Sequence, residues 1–190
     1  MNESIAEAQR AQELDPLSPD IVSALGTIYF VGRQYDASIA QLQKALDLNP
    51  NIPVVRATLG SAYAMKRMYP QALAEYDKIP TQDKVTAEGN QFVAGTLGWV
   101  YAVSGRRSDA LEIAQQFRKL STHAYVDFYW SAVIYAGLGD KGEAFHLLEK
   151  SYQERSAGLP YLAVDPFWYG VHSDPRYTDL LGRIGLPQPE

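Results

Sequence analysis

Residues Ser18–Pro50 read SPDIVSALGTIYFVGRQYDASIAQLQKALDLNP. Two amphipathic helices are legible in this stretch, split by a turn at Gly32-Arg33-Gln34. In the first, Val22, Leu25, Ile28 and Tyr29 recur at three- and four-residue spacing, the period of one buried helical face. In the second, Ile39, Leu42, Ala45 and Leu46 do the same. The small residues Ala24, Gly26 and Ala45 are expected where the two helices approach closely. Pro50 closes the unit, because proline cannot continue a helix interior.

The pattern then returns. Leu25-Gly26 with Tyr29 becomes Leu59-Gly60 with Tyr63, 34 residues on. Leu97-Gly98 with Tyr101 follows after 38 residues, and Ser131-Ala132 with Tyr135 after 34. Ala72, Ala110 and Ala144 hold the matching place in the second helices. A helix-turn-helix period of 34 with this L-G-x-x-Y core resembles the tetratricopeptide repeat, over four repeats from Ser18 to about Glu154. The fourth repeat has Ser131-Ala132 in place of Leu-Gly, and Lys84 stands where the second would close with proline. The resemblance implies an all-α fold, a right-handed superhelical solenoid of helix hairpins with a C-terminal helical cap. It also implies a scaffold that holds another protein or a peptide, with no catalytic residues, no metal site and no cofactor.

Bulk properties agree with that class. The chain has 190 residues, and its 17 basic and 22 acidic residues give a net charge of −5. An acidic balance argues against a sequence-independent grip on phosphates, so nucleic acid is not an expected partner. There is no cysteine, which excludes disulfides, thiolate zinc sites and cysteine nucleophiles. The plain default compartment is a reducing cytosol, so a cytoplasmic location is expected. No run of 18 apolar residues exists, and no membrane span is expected. Met1-Asn2-Glu3-Ser4 has neither the basic nor the apolar region of a signal peptide.

Taken in order, residues 1–17 read as a second helix with no first helix before it. Ala11, Leu14 and Pro16 align with Ala45, Leu48 and Pro50. A lone second helix lacks the partner hairpin that repeats need, so the chain is expected to be cut from a longer protein or to begin with a truncated cap. Residues 18–154 hold the four repeats. Pro70 falls in the first turn of a second helix, where its missing N–H costs nothing. Residues 80–90, PTQDKVTAEGN, carry the four-residue insertion. Ser108 or Asp109 is expected to cap the second helix of repeat three. Residues 155–190 read as a cap over the last hydrophobic face. Asp165-Pro166 and Asp174-Pro175 each read as an N-cap followed by proline at the first helical position. Tyr177, Leu180, Leu181 and Ile184 then form a short amphipathic helix ended by Gly185. This tail also resembles the C-terminal end of bacterial repeat regions found behind winged-helix regulators, adenylate cyclases or serine/threonine kinases.

Motifs that suggest chemistry have plainer readings. Gly137-Leu138-Gly139-Asp140-Lys141-Gly142 fits G-x-G-x-x-G, but that motif works only between a strand and a helix. Here it aligns with the hairpin turn at Gly32-Arg33-Gln34. Glu143 and His146 form a single Glu-x-x-His pair, whereas a di-iron bundle needs two pairs and two further glutamates. His123 and Asp127 are read as a surface pair at a helix start. His172 lies beside Ser173 and Asp174 without a nucleophile motif. Tyr29, Tyr63, Tyr101 and Tyr135 are read as packing between helices with the hydroxyl at the rim.

In the resembled family the first helices line a concave groove. The positions that point into it correspond here to Asp20, Ser23, Thr27 and Phe30, then Val54, Ala57, Ser61 and Ala64. They continue as Phe92, Gly95, Trp99 and Ala102, then Val126, Tyr129, Val133 and Ala136. The candidate peptide-binding set is Ser23, Thr27, Phe30, Ala57, Ser61, Phe92, Trp99 and Tyr129. None of the groove positions is Lys, Arg or Asn, which points away from acidic tails and toward an apolar or aromatic peptide. The aromatics have a second reading as simple packing against neighbouring helices. The chain's own Tyr161–Tyr169 segment, with Phe167 and Trp168, is a candidate occupant of the groove's C-terminal end. The alternative function is a regulatory or oligomerisation segment of a larger bacterial regulator, cyclase or kinase, with a second copy of the chain as partner.

Overall fold

The computed structural model describes residues 2–80 and 90–187. The insertion at 81–89, with Lys84, lies outside the described residues. Every helix or strand assigned among the described residues is helical. The chain divides into two compact units, Met1–Pro80 and Thr81–Glu190.

The first unit holds α1 (Asn2–Leu14), α2 (Pro19–Val31), α3 (Tyr35–Leu48), α4 (Pro53–Met65) and α5 (Tyr69–Asp77). Ser18 caps α2, its hydroxyl accepting the Ile21 N–H at 3.4 Å, and Pro19 occupies the first turn. The core joins both hairpins: Val22 of α2, Leu42, Ala45 and Leu46 of α3, and Val55 and Leu59 of α4, with Ile39, Ile52 and Tyr63 packed against them. Leu42 is fully buried; truncating such a leucine to alanine costs about 2–5 kcal/mol.

The glycines set how closely the paired helices approach. A Cβ on Gly26 would lie 2.8 Å from the Leu42 side chain, and one on Gly60 would lie 2.6 Å from the Tyr76 ring. Ser38 of α3 donates its hydroxyl to the Gly26 carbonyl at 2.8 Å. Ser38, Ala72, Ala110 and Ala144 are all fully buried. Ala24 differs from its expected role, since it lies on the exposed side of α2.

The second unit holds α6 (Gln91–Val103), α7 (Arg107–Leu120), α8 (Phe128–Gly137), α9 (Lys141–Gln153) and α10 (Pro175–Ile184). Two 3₁₀ turns, Leu159–Tyr161 and Pro166–Val171, precede α10. α6 packs beside α8, and each packs on the helix that follows it. Pro166–Val171 packs on α8, and α10 on α9. Tyr177 of α10 is fully buried and donates to the Leu162 carbonyl at 2.8 Å. Arg183 grips Glu149 of α9 through two nitrogens, at 2.7 and 2.9 Å.

Four hairpin turns share one geometry. In each, three residues join the two helices, and the middle one has positive φ: Arg33 (59°), Arg67 (60°), Gly105 (85°) and Gly139 (76°). The next N–H in each turn reaches back to the tyrosine carbonyl: Gln34 to Tyr29, Met68 to Tyr63, Arg106 to Tyr101 and Asp140 to Tyr135, at 2.8–3.0 Å. This is a six-residue Schellman closure of the first helix. Gly137–Gly142 is therefore the turn between two helices, with no strand before it.

The tyrosine hydroxyls are also tied in register. Gln9 of α1 donates to the Tyr29 hydroxyl at 2.9 Å, and Gln43 of α3 donates to the Tyr63 hydroxyl at 2.8 Å. Both pairs are separated by 20 residues.

Helix starts depart from expectation in three places. α7 has Arg106 at its N-cap with no side-chain cap, and Asp109 accepts the Arg106 guanidinium at 2.8 Å instead. α8 begins at Phe128, so Val126 precedes the helix rather than lying on it, and it is buried. Asp174 caps α10, but the Asp165 side chain makes no cap.

Candidate binding surface

In the first unit, Ser23 and Thr27 lie one turn apart on α2. Thr27 is exposed and Ser23 half-buried. Both hydroxyls donate to main-chain oxygens of α2, Ser23 to Asp20 and Thr27 to Ser23, at 3.0 Å each. Their own lone pairs remain able to accept. Asp20 beside them is exposed, as is Val54 at 42% on the neighbouring helix α4.

The other candidates of this unit face inward. Phe30 is 4% exposed, with its ring 6.0 Å from that of Tyr35. Ala57 and Ser61 are fully buried. The Tyr76 hydroxyl donates to the Ala57 carbonyl at 3.0 Å and lies 3.1 Å from the Ser61 hydroxyl. An approaching peptide therefore meets neither Ala57 nor Ser61 as open surface.

In the second unit the chain covers its own candidates. Trp99 is 6% exposed, and its ring lies 4.9 Å from Phe167, edge to face. A Cβ on Gly137 would fall 2.7 Å from the Trp99 ring, so Trp99 is wedged between α8 and the 3₁₀ turn. Tyr129 is fully buried. Its hydroxyl donates to the Asp165 carboxylate at 2.5 Å and accepts the Trp168 indole N–H at 2.8 Å. Phe92 is half-buried and packs edge-on against Trp130, with ring centroids 5.0 Å apart. The consecutive pair Phe167-Trp168 thus seats on Trp99 and Tyr129.

A polar cluster anchors that segment. The Asp127 carboxylate accepts the Tyr129 N–H at 3.1 Å and, across the chain, the Gly158 N–H at 2.8 Å. Gly158 lies so close to the Tyr129 ring that a Cβ there would be 2.6 Å from it. Burial raises the pKa of Asp127, and the Gly158 and Tyr129 N–H groups oppose that rise. Burial pushes Asp165 up to about 7, against the lowering effect of the Tyr129 hydroxyl. Burial first, and then the charge of Asp165, raise Tyr129 well above the ordinary phenol value. With Tyr129 and Trp168 fully buried, this cluster acts as a clasp.

The remaining histidines and acidic residues singled out in the sequence lie apart from this cluster or make other contacts within it. Asp127 points to Gly158, while His123 lies beside the Thr122 hydroxyl at 3.1 Å, so the expected His123–Asp127 pair does not form. The His172 ring stacks on Tyr177 at 4.7 Å. Glu143 and His146 lie on α9, and among the described residues no three His, Cys, Asp or Glu converge as metal ligands. No helix of the described residues is long and apolar enough to cross a membrane.

The sequence pattern did not reveal the clasp. Its only signal was the Asp165-Pro166 pair, which reads as an N-cap. No protein-family model matches the chain, and no curated protein matches it.

Proposed function

We propose that this chain is a non-catalytic binding module of tetratricopeptide-type repeats, arranged as a right-handed superhelical solenoid. On this reading it holds an extended peptide or a segment of a partner protein on the first-helix face of its N-terminal unit. The observation that carries the reading is that Asp20 and Thr27 of α2 and Val54 of the neighbouring α4 are exposed, with Ser23 half-buried beside them. Small side chains there let a peptide main chain approach closely. The Ser23 and Thr27 hydroxyls offer acceptors for its N–H groups, and Val54 offers apolar contact. The four matching turns and the paired Gln9–Tyr29 and Gln43–Tyr63 bonds support the repeat assignment. The partner segment is extended and apolar or uncharged.

Peptides selected against the intact chain from a displayed random library provide the test. Thr27→Arg and Val54→Arg place bulky charge on exposed positions and leave the core alone. Each is expected to weaken the selected peptides at least tenfold while the melting temperature holds. Unchanged affinity in both variants would sink the reading.

A second reading concerns self-association. Leu14 and Leu17, 83% and 72% exposed, are the most exposed large apolar residues among those described. Sedimentation across a hundredfold concentration range tests it. A dimer that Leu14→Glu with Leu17→Glu dissolves supports this reading, and a monomer throughout rejects it.

A further inference from the structure

A second recess lies in the C-terminal unit, away from the covered aromatic face. It is a cavity of about 300 Å³ between α7, α8 and α9. Ala114 of α7, Phe128 of α8 and Leu147 of α9 supply apolar lining. Arg118 in the last turn of α7 and Lys150 in the last turn of α9 bring two cations to it. Neither forms an ion pair among the described residues, and the Lys150 ammonium lies 5.3 Å from the Phe128 ring centroid. A solvated pair of cations on a surface helix needs no explanation. Two that flank an apolar recess, on a chain of net charge −5, form a local reversal of charge.

A hydroxyl free of partners among the described residues lies at the same place. Ser131 is 4% exposed and lines the cavity, and its hydroxyl makes no hydrogen bond to the described residues. A helical serine ordinarily returns its hydroxyl to a carbonyl one turn back, as Ser23 and Thr27 do here. The Ser131 hydroxyl is therefore free to donate to a group held in the cavity. Tyr135 lines the cavity too. Burial, then the charges of Glu143 and Asp140, raise its pKa against the opposing effect of Arg118. The phenol is therefore neutral and able to donate. Among the lining residues Glu143 carries one negative charge, against the two positive charges of Arg118 and Lys150.

We infer that this cavity binds a small organic anion, a carboxylate or phosphate monoester carried on an apolar body about the size of one aromatic ring. The anionic head sits between Arg118 and Lys150 and takes hydrogen bonds from Ser131 and Tyr135. Guanidinium recognises either oxyanion in forked geometry. The body rests on Phe128 and Leu147. The volume is at the lower end of small-molecule sites, which suits a single-ring ligand. This site is independent of the α2–α4 surface.

The test uses the full chain with phenyl phosphate, benzoate, inorganic phosphate and benzyl alcohol as probes, followed by amide chemical shifts and calorimetry. Phenyl phosphate or benzoate is expected to bind one to one, at least fivefold tighter than inorganic phosphate or benzyl alcohol, and to shift the Ser131, Tyr135 and Lys150 amides. The Arg118→Gln, Lys150→Gln double variant removes only exposed charge, keeps its melting temperature, and loses at least tenfold in affinity. Ser131→Ala, which keeps both cations, loses a smaller factor. Inorganic phosphate binding as tightly as phenyl phosphate would overturn the inference. So would double-variant binding within twofold of the parent, or no saturable binding of either aromatic anion.

Discussion

Tyr129 on α8 donates its hydroxyl to Asp165 at 2.5 Å, across 36 residues of sequence. That bond locks the C-terminal segment over the face where Trp99 and Tyr129 were candidates for holding a partner. The same hydroxyl accepts the indole N–H of Trp168, so one buried group anchors both ends of the Asp165–Trp168 turn. On the proposed reading, partner contact falls to Asp20, Ser23 and Thr27 of α2 and Val54 of α4.

The clasp should respond to pH. Asp165 has an ordinary value of 3.8 and reaches about 7 in the folded chain. The folded state holds this proton more tightly than the unfolded state. Its contribution is fully present below about pH 4 and is lost as pH rises through about 7, at roughly 1.4 kcal/mol per unit of difference. Asp165→Asn keeps a hydrogen-bond acceptor for Tyr129 and cannot ionise. Urea unfolding of parent and variant between pH 4 and pH 8 should show the parent losing stability relative to the variant as pH rises. Asp127, raised in both proteins, cancels in the difference. Parallel curves would show that Asp165 does not titrate in this window.

The turns allow a paired test. Gly139 and Arg67 occupy equivalent turns, both with positive φ. A side chain in left-handed backbone costs about 1 kcal/mol. Gly139→Ala should therefore lower stability by about 1 kcal/mol. Arg67→Gly relieves the same strain but adds freedom to the unfolded chain, so it should be neutral or stabilise by less than ~1 kcal/mol. Urea midpoints at constant m-value check both, and the opposite order would contradict the shared geometry.

Gly60 reports on close approach between α4 and α5. An added Cβ would meet the Tyr76 ring at 2.6 Å and the Ala72 carbonyl at 3.1 Å. Gly60→Ala should cost about 1–3 kcal/mol from overpacking. Gly170→Ala, with nothing within 4 Å of the new methyl, is the matched control. Equal effects at the two positions would mean that the hairpin has slack at Gly60.

Much of this architecture was legible because helical packing is periodic. The recurrence of Leu25-Gly26 with Tyr29 follows from one helix face meeting one partner, so spacing alone marks the four hairpins. The positive φ at Arg33 and Arg67 was not legible, since arginine gives no cue for left-handed backbone while Gly105 and Gly139 do. The clasp escaped for a different reason. Asp165 looks like a helix cap in sequence and Asp127 like a surface partner of His123, whereas Asp127 is the residue that caps. Their reach to Gly158 and Tyr129 depends on how residues 155–171 fold back, which no local pattern encodes. The burial of Ala57 and Ser61 hinged on the Tyr76 hydroxyl reaching them from the next helix. The Arg118–Ser131–Lys150 recess draws on three helices and has no contiguous motif.

The claim that a partner contacts the α2–α4 surface and not the covered aromatics is tested most directly by chemical-shift mapping of the intact chain with a selected peptide. The expected result is saturable shifts at Asp20, Ser23, Thr27 and Val54, with the Trp99 and Trp168 indole signals unmoved. Shifts centred on the Trp99 indole and the Tyr129–Asp165 clasp, with Thr27 and Val54 silent, would contradict it.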